Sequence, residues 1–479
     1  MPDQRQTLNR ALSFGGASAI STGLAFAAIN FLGIAQLLGY VRGPLAWAAV
    51  LCGGLVILAV RALFSELNGM YPTAAGIRLW MTRAMNDRLA LIITLTYMTA
   101  IILVIAADAF IIGQAIAYAF GNGRIIAMIY VGVLLAVATW LNLRGIRLVG
   151  AAEKVITTAV VLLTVAVGAA ALFRHGNVAH LSAAVSGSPV SALILGIFLY
   201  TGFEWVTTNS EEVVKPKIIP KAMLVAIGSL AASQALFAVA MGLTLDSGQR
   251  ATAYPQLLVA QAALGHAGML LMLAVTGLTA VNTFNGGFVT MSRFMYAVAR
   301  EGKLPRTFTR LNDRAVPVVP VLVLGITSLV VAIGVAATGT WAMMVSVCAA
   351  LEMMIYGAAG FVVWRLRRTQ PATDRPFRFR GGRWLAFAFM VLFGVLGLMS
   401  SVTVGSATSL TPIVTLAVIA GLVSIYVYTY VPRLERREAE ELAARRTARA
   451  AARTARAGGS PTAAPDAPRE LQDAPEGTA

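Results

Sequence analysis

The chain is poor in charge, in cysteine and in histidine, and each shortage excludes something. Only 12% of its 479 residues are Asp, Glu, Lys or Arg, about half the share of an ordinary soluble domain. So few charges cannot cover a water-facing surface of this size. Soluble enzymes, soluble nucleic-acid-binding modules and secreted scaffolds are therefore excluded. Cys52 and Cys348 are the only cysteines. Both lie in apolar runs, so neither a disulfide framework nor a cysteine metal site is expected. The three histidines, His175, His180 and His266, have no metal-ligand spacing and no neighbouring carboxylate pair. No Ser/His/Asp arrangement, phosphate-binding glycine loop or pore loop stands out, which counts against a membrane enzyme and against a channel. No cofactor and no metal is expected.

What the sequence has is long apolar runs. Hydrophobic residues make up 58% of it, and mean hydropathy is +0.76. A helical span needs about 20 apolar residues, and runs this continuous do not fit a β-barrel. The pattern predicts an all-α membrane protein with twelve transmembrane helices, at 12–38, 44–64, 89–120, 124–142, 148–173, 189–210, 221–244, 266–299, 318–338, 341–364, 384–405 and 411–431. The polar start, without a small-residue cleavage site, reads as leading into an uncleaved first span. Three regions follow: a cytoplasmic N-terminus (1–11), a twelve-helix domain (12–431) and a cytoplasmic, disordered tail (432–479). The tail alternates Arg, Glu and Ala before turning rich in Gly, Pro and Ala.

The net charge of +17 would suggest nucleic acid in a soluble protein. Here its distribution explains it. With the N-terminus inside, 34 Lys and Arg fall in inner segments and four, Arg42, Arg124, Arg174 and Arg250, fall outside. Basic residues are retained on the cytoplasmic side, so the charge sets topology in the plasma membrane and nucleic acid is not a partner.

Two spans look broken. The first contains Gly15-Gly16-Ala17-Ser18-Ala19-Ile20-Ser21-Thr22-Gly23, and the sixth Tyr200-Thr201-Gly202-Phe203-Glu204. Lipid offers backbone groups no partner, so interruptions at membrane depth belong where they line a cavity. Interruptions at corresponding places in two halves point to a transporter binding site. Close packing through small residues is the alternative. Three carboxyls, Asp108, Glu204 and Glu352, fall within spans where no Lys or Arg lies comparably deep. An ionisable group there costs at least about 2.5–3.5 kcal/mol and is a functional candidate by default. The acids either carry protons or pair with a cationic substrate. A stripe of Thr276, Thr279, Thr283, Gly286 and Thr290 reads either as cavity lining or as helix packing.

Four stretches carry a resemblance: Ser65-Glu66-Leu67 with Tyr71-Pro72-Thr73-Ala74-Ala75-Gly76; Leu141-Asn142-Leu143-Arg144-Gly145-Ile146-Arg147; Tyr200 to Glu204 with Glu211-Glu212-Val213-Val214-Lys215-Pro216 and Ile219-Pro220; and Ser292-Arg293 to Arg300-Glu301-Gly302-Lys303-Leu304-Pro305. In this order they resemble the amino acid–polyamine–organocation (APC) superfamily of permeases, over about residues 10–431. The resemblance implies a five-plus-five inverted-repeat transporter fold with helices one and six broken, plus two extra helices. It implies alternating access around a midplane site.

In that family the substrate carboxylate lies on the helix-one break, which maps onto Ser21, Thr22 and Gly23 beside Ile20. The amino group meets helix-six carbonyls, mapping onto Phe198, Leu199 and Thr201, next to Gly202. An aromatic gate maps onto Phe198, Tyr200 or Phe203. A glutamate matching Glu204 is linked to proton sensing, and Asp108 is placed to line the cavity. The expectation is a secondary active transporter of small amino acids, driven by the proton gradient, with lipid as its surroundings. A carrier of a cationic amine (polyamine, basic amino acid or ethanolamine-like) is the alternative.

Overall fold

The computed structural model describes residues 12–447, except 42–44, 74–75, 146–150, 176–186, 211, 216, 405–406, 438–439, 441–442 and 445–446. The expected N-terminal segment and most of the expected tail lie outside the described residues, as do Glu211 and His180.

Almost everything described is helix. The first span is two helices, α1 (Phe14–Ala25) and α2 (Ile29–Leu37), bent by 57° at the break between them. Then come α3 (Ala46–Met70), α4 (Gly76–Ala84), α5 (Asp87–Ala119), α6 (Arg124–Leu143) and α7 (Ala151–His175). The sixth span opens as α8 (Pro189–Phe198), turns over Leu199–Gly202 and resumes as a 3₁₀ segment, Phe203–Asn209. The remainder is α9 (Ile218–Thr244), the single turn α10 (Ser247–Arg250), α11 (Pro255–Arg300), α12 (Val318–Thr338), α13 (Trp341–Thr369), α14 (Gly382–Ser401) and α15 (Thr411–Ile425), which continues as one π turn. Among the described residues, eleven helices are long and apolar enough to cross a membrane, and the bent first pair makes twelve. A two-residue hairpin, Thr403–Val404 with Ala407–Thr408, joins α14 to α15.

Two pieces were missing from the span pattern. The helix α4 buries Ile77, Trp80, Met81 and Ala84 and carries Arg78 and Arg83, and is too short and polar to read as a span. The first part of α11 precedes a non-helical Gly265 (φ 65°), which is where the sequence-based eighth span begins.

The broken spans lie at the centre. The segment α1 packs on the 3₁₀ part of span six and on α7, α9 and α11, and that 3₁₀ part also meets α3 and α9. After the sixth span, the most buried long helix is α13, whereas α15 is hardly buried and exposes apolar side chains such as Val414, Val418 and Leu422. That gradient fits a bundle whose rim faces lipid, where exposed Leu and Val cost nothing. Close approach in the middle relies on small residues. A Cβ on Gly53 would fall 2.2 Å from the Gly196 carbonyl carbon, so α3 and α8 touch backbone to backbone.

Candidate functional site

At the sixth-span break, Gly202 has φ +100° and lies against the Leu24 carbonyl of α1. A side chain there would be strained by the left-handed backbone and would also clash. The turn frees backbone groups of Leu199 to Gly202, which face the first-span break. Two side chains tie the breaks together. Asn30 donates its Nδ2 to the Ala25 carbonyl (2.7 Å) and the Leu199 carbonyl (3.3 Å), and Gln234 of α9 donates to the same Leu199 carbonyl (3.0 Å). Ser21 Oγ donates to the Phe203 carbonyl at 2.6 Å.

The first-span break falls at Phe26–Ala28, not at Ser21-Thr22-Gly23. That triplet is helical and buried within α1, and the Thr22 carbonyl still accepts the Phe26 N–H. Gly23 is needed for packing, because a Cβ there would sit 2.8 Å from Thr157 Oγ1 and 3.1 Å from Asn282 Nδ2. Ile20 packs half-buried on the same helix. The small-residue run therefore marks where α1 is pressed against neighbours, one turn before the chain bends.

The break's open amides meet Asp108. Its Oδ2 accepts the Ala28 N–H (3.2 Å) and its Oδ1 the Ile29 N–H (3.0 Å). These are the first free donors of α2, whose own N-cap residue offers no side-chain bond. A carboxylate on a helix N-terminus satisfies orphan N–H groups and the positive end of the dipole together.

Between the breaks lies a cavity of about 10 Å³ lined by Leu24, Asn30, Val104, Phe198, Thr201 and Trp205 among others, room for about one water. Thr201 Oγ1 is buried there without a hydrogen-bond partner among the described residues. Of the aromatics considered as gates, Phe198 lines this cavity. Tyr200 points away, donating its OH to the Val50 carbonyl of α3 (3.0 Å). Phe203 faces Tyr356, with ring centroids 6.4 Å apart.

Glu204 sits beyond the cavity, wholly buried. Tyr97 of α5 donates to its Oε1 (2.8 Å) and Tyr356 of α13 to its Oε2 (3.3 Å). Trp205 Nε1–H donates in turn to the Tyr97 oxygen (2.6 Å). Glu352 lies one turn before Tyr356, fully buried, with neither carboxyl oxygen hydrogen-bonded among the described residues. None of Asp108, Glu204 and Glu352 joins an ion pair among those residues. Asn30, Tyr97, Trp205, Gln234 and Tyr356 were not singled out from sequence. The only sequence signal for them is that polar or hydroxyl-bearing groups sit inside apolar runs.

The threonine stripe of α11 is buried at Thr276, Thr279 and Thr283, and Thr283 Oγ1 has no hydrogen-bond partner among the described residues. Thr276 and Thr279 donate to carbonyls of their own helix, and Gly286 makes room for Leu24.

The fold is matched by known proteins. The sequence profile of the amino acid permease family matches residues 10–428, nearly the whole membrane domain. The chain belongs to this family. It is a transporter rather than an enzyme. Among curated relatives, an uncharacterized amino acid permease of Bacillus subtilis (strain 168), YvbW, is 24% identical over 342 residues, 67% of this chain and 75% of that one. Among solved structures, MhsT in complex with L-phenylalanine matches with TM-score 0.60 at 13% identity, covering 81% of this chain and 99% of that chain. The manganese transporter of Eremococcus coleocola matches with TM-score 0.56 at 14% identity, covering 89% and 95%. At such identities the structures speak for the fold alone, and that fold is the inverted-repeat transporter with broken helices one and six.

At the basic end of the permease, Glu66, Glu212, Arg293 and Lys303 of the motif stretches join ion pairs. Glu66, 1% exposed at the end of α3, accepts Arg367 Nε (2.9 Å) and Nη2 (2.6 Å), Arg375 Nε (3.2 Å) and the Phe379 N–H (2.8 Å). Arg61 donates to the Pro220 carbonyl (2.9 Å). Glu212 pairs with Arg293. Lys303 bridges Asp87 (2.8 Å) and Glu435. Partial burial pulls the Lys303 ammonium down, but its bonds to these two carboxylates outweigh that and hold it above the ordinary lysine range.

Proposed function

We propose that this permease carries a small solute bearing an amino group across the plasma membrane by alternating access, coupled to proton movement through Glu204. Family membership implies an amino acid substrate, and the central cavity between the two breaks is the place to hold it. Both termini are read as cytoplasmic, from the 34-to-four split of Lys and Arg.

The observation that carries the coupling is Glu204 itself. It is wholly buried on the 3₁₀ half of span six, and the hydroxyls of Tyr97 on α5 and Tyr356 on α13 are its hydrogen-bond partners from other elements among the described residues. An ionised carboxyl accepts both hydroxyls. A protonated one turns one oxygen into a donor and accepts more weakly there. Gaining or losing a proton therefore rewrites the bonds that hold span six to α5 and α13. That is a local charge event biasing a helix with two positions, the requirement for coupling.

Uptake of labelled amino acids into proteoliposomes, with and without an inward proton gradient, tests this. Each pH unit supplies about 1.4 kcal/mol per proton, or roughly tenfold accumulation. Wild-type uptake follows the gradient, whereas Glu204→Gln binds substrate and exchanges it but no longer responds to pH. A mutant with unchanged pH dependence would remove Glu204 from the coupling.

A further inference from the structure

We propose that the protein binds the headgroup of an anionic phospholipid in a basic pocket between α13 and α14, in the leaflet at its basic end. The pocket lies apart from the central cavity, and the inference does not depend on what the permease carries.

Topology alone asks only that Lys and Arg lie on one side of the membrane. Here the charges are built into a pocket. Arg375 folds the loop after α13 around itself, donating to the carbonyls of Leu366 (3.2 Å), Gln370 (2.9 Å) and Thr373 (2.8 Å) and to Glu66 (3.2 Å). The result is a cavity of about 430 Å³ lined by Arg367, Asp374, Arg375, Arg378, Gly382 and Arg383 among others, a size usual for a small-ligand site. Four guanidiniums face two carboxylates there, Asp374 on the wall and Glu66 bonded to Arg367 and Arg375. That leaves two positive charges in excess. Arg378 and Arg383 join no ion pair among the described residues. A free guanidinium presents a fork of N–H donors that matches a phosphate.

Depth and surroundings point to lipid rather than to a soluble anion. Gly382 and Arg383 are the first residues of α14, itself a span of 20 residues, so the pocket sits at headgroup level. That helix opens without a side-chain cap, which adds the positive end of its dipole. Arg383 lies over the ring of Trp384 (5.2 Å to the centroid), and Trp384 is 65% exposed. An exposed tryptophan at the end of a span marks the membrane interface. From it Ala388, Val391, Val395 and Leu398 follow at three- and four-residue spacing, all exposed, so they share one face of α14. An apolar track therefore runs from the mouth of the basic pocket toward the middle of the membrane. A free phosphate would use the pocket and leave the track bare. A phospholipid uses both, headgroup in one and acyl chain along the other.

The test uses lipids that differ only in the headgroup. Native mass spectrometry of the full-length protein in detergent measures occupancy by dioleoyl phosphatidylglycerol against dioleoyl phosphatidylcholine, with free glycerol phosphate as competitor. We expect phosphatidylglycerol to bind about tenfold tighter. Arg378→Gln with Arg383→Gln should remove most of that preference and leave phosphatidylcholine binding unchanged. Asp374→Asn, which removes the acid from the wall, should strengthen phosphatidylglycerol binding. Arg365→Gln with Arg368→Gln is the control: both residues are exposed near the end of α13 and outside the pocket lining, and the preference should persist. Equal binding of the two lipids overturns the proposal. So does a control pair that loses as much as the pocket pair, because the attraction would then belong to the basic end as a whole. Glycerol phosphate that displaces the lipid at equal concentration assigns the pocket to a soluble anion and overturns the lipid reading. The wild-type comparison and Asp374→Asn keep the test decisive where a double variant does not fold.

Discussion

At the scale of the residue, the deep acids Asp108 and Glu204 are held in different ways. Asp108 is fixed by backbone amides, so its position depends on where span one breaks. Glu204 is fixed by side chains from two other helices, so it reports their position. Both were visible in the sequence as acids inside apolar runs. Their partners were not, because Tyr97 and Tyr356 stand 107 and 152 residues away from Glu204 and no local pattern links them. Gly202 is the residue on which the sixth-span turn depends. With φ +100° and a prospective Cβ 2.9 Å from the Leu24 carbonyl oxygen, Gly202→Ala should cost about 1–3 kcal/mol in backbone strain. The clash adds to that cost. The expected result is a lower thermal midpoint in detergent together with lost uptake; a variant with wild-type midpoint and uptake would show that the turn tolerates a side chain.

At the scale of the element, breaks need struts. A helix interrupted at membrane depth must find partners for its freed groups, and this permease finds them in Asn30, Gln234 and Asp108 rather than in solvent. The run of small residues in span one correctly marked a special helix, but it misplaced the break. Small residues and a bend have different causes. The run is there because Gly23 packs under Thr157 and Asn282, whereas the chain bends where another helix supplies a cap. The inner ends show the same logic. Glu66 collects two arginines and an amide around one buried carboxylate. Glu66→Ala leaves Arg367 and Arg375, both nearly buried, without their anion. Breaking a buried pair this way costs about 3–5 kcal/mol, so the thermal midpoint should fall by several degrees. Glu66→Asp should recover only part of the loss. An unchanged midpoint in Glu66→Ala would mean that the cluster is solvated in the membrane.

At the scale of the whole molecule, burial and charge each sort the helices. Burial runs from α13 at the centre to α15 at the rim, and basic residues collect at one end of the bundle. The orientation is directly measurable. In a chain with Cys52 and Cys348 replaced by Ser, Thr309→Cys should react with a membrane-impermeant maleimide only in inside-out vesicles. Asn122→Cys should react only in intact cells. The reverse pattern would invert the topology and place Lys303 and its partners outside.

The sequence by itself determined the number of spans, their order, the two that are interrupted, the family and the presence of three uncompensated acids in the core. These are properties of single segments, set by apolar length, glycine content and the cost of charge in lipid. Only the tertiary structure decided where span one breaks, which groups satisfy the freed backbone and which way each aromatic faces. Those depend on which helices become neighbours. In a bilayer, where apolar side chains gain little by leaving lipid for protein, that choice is made by close packing and by the pairing of buried polar groups that lie far apart in the chain.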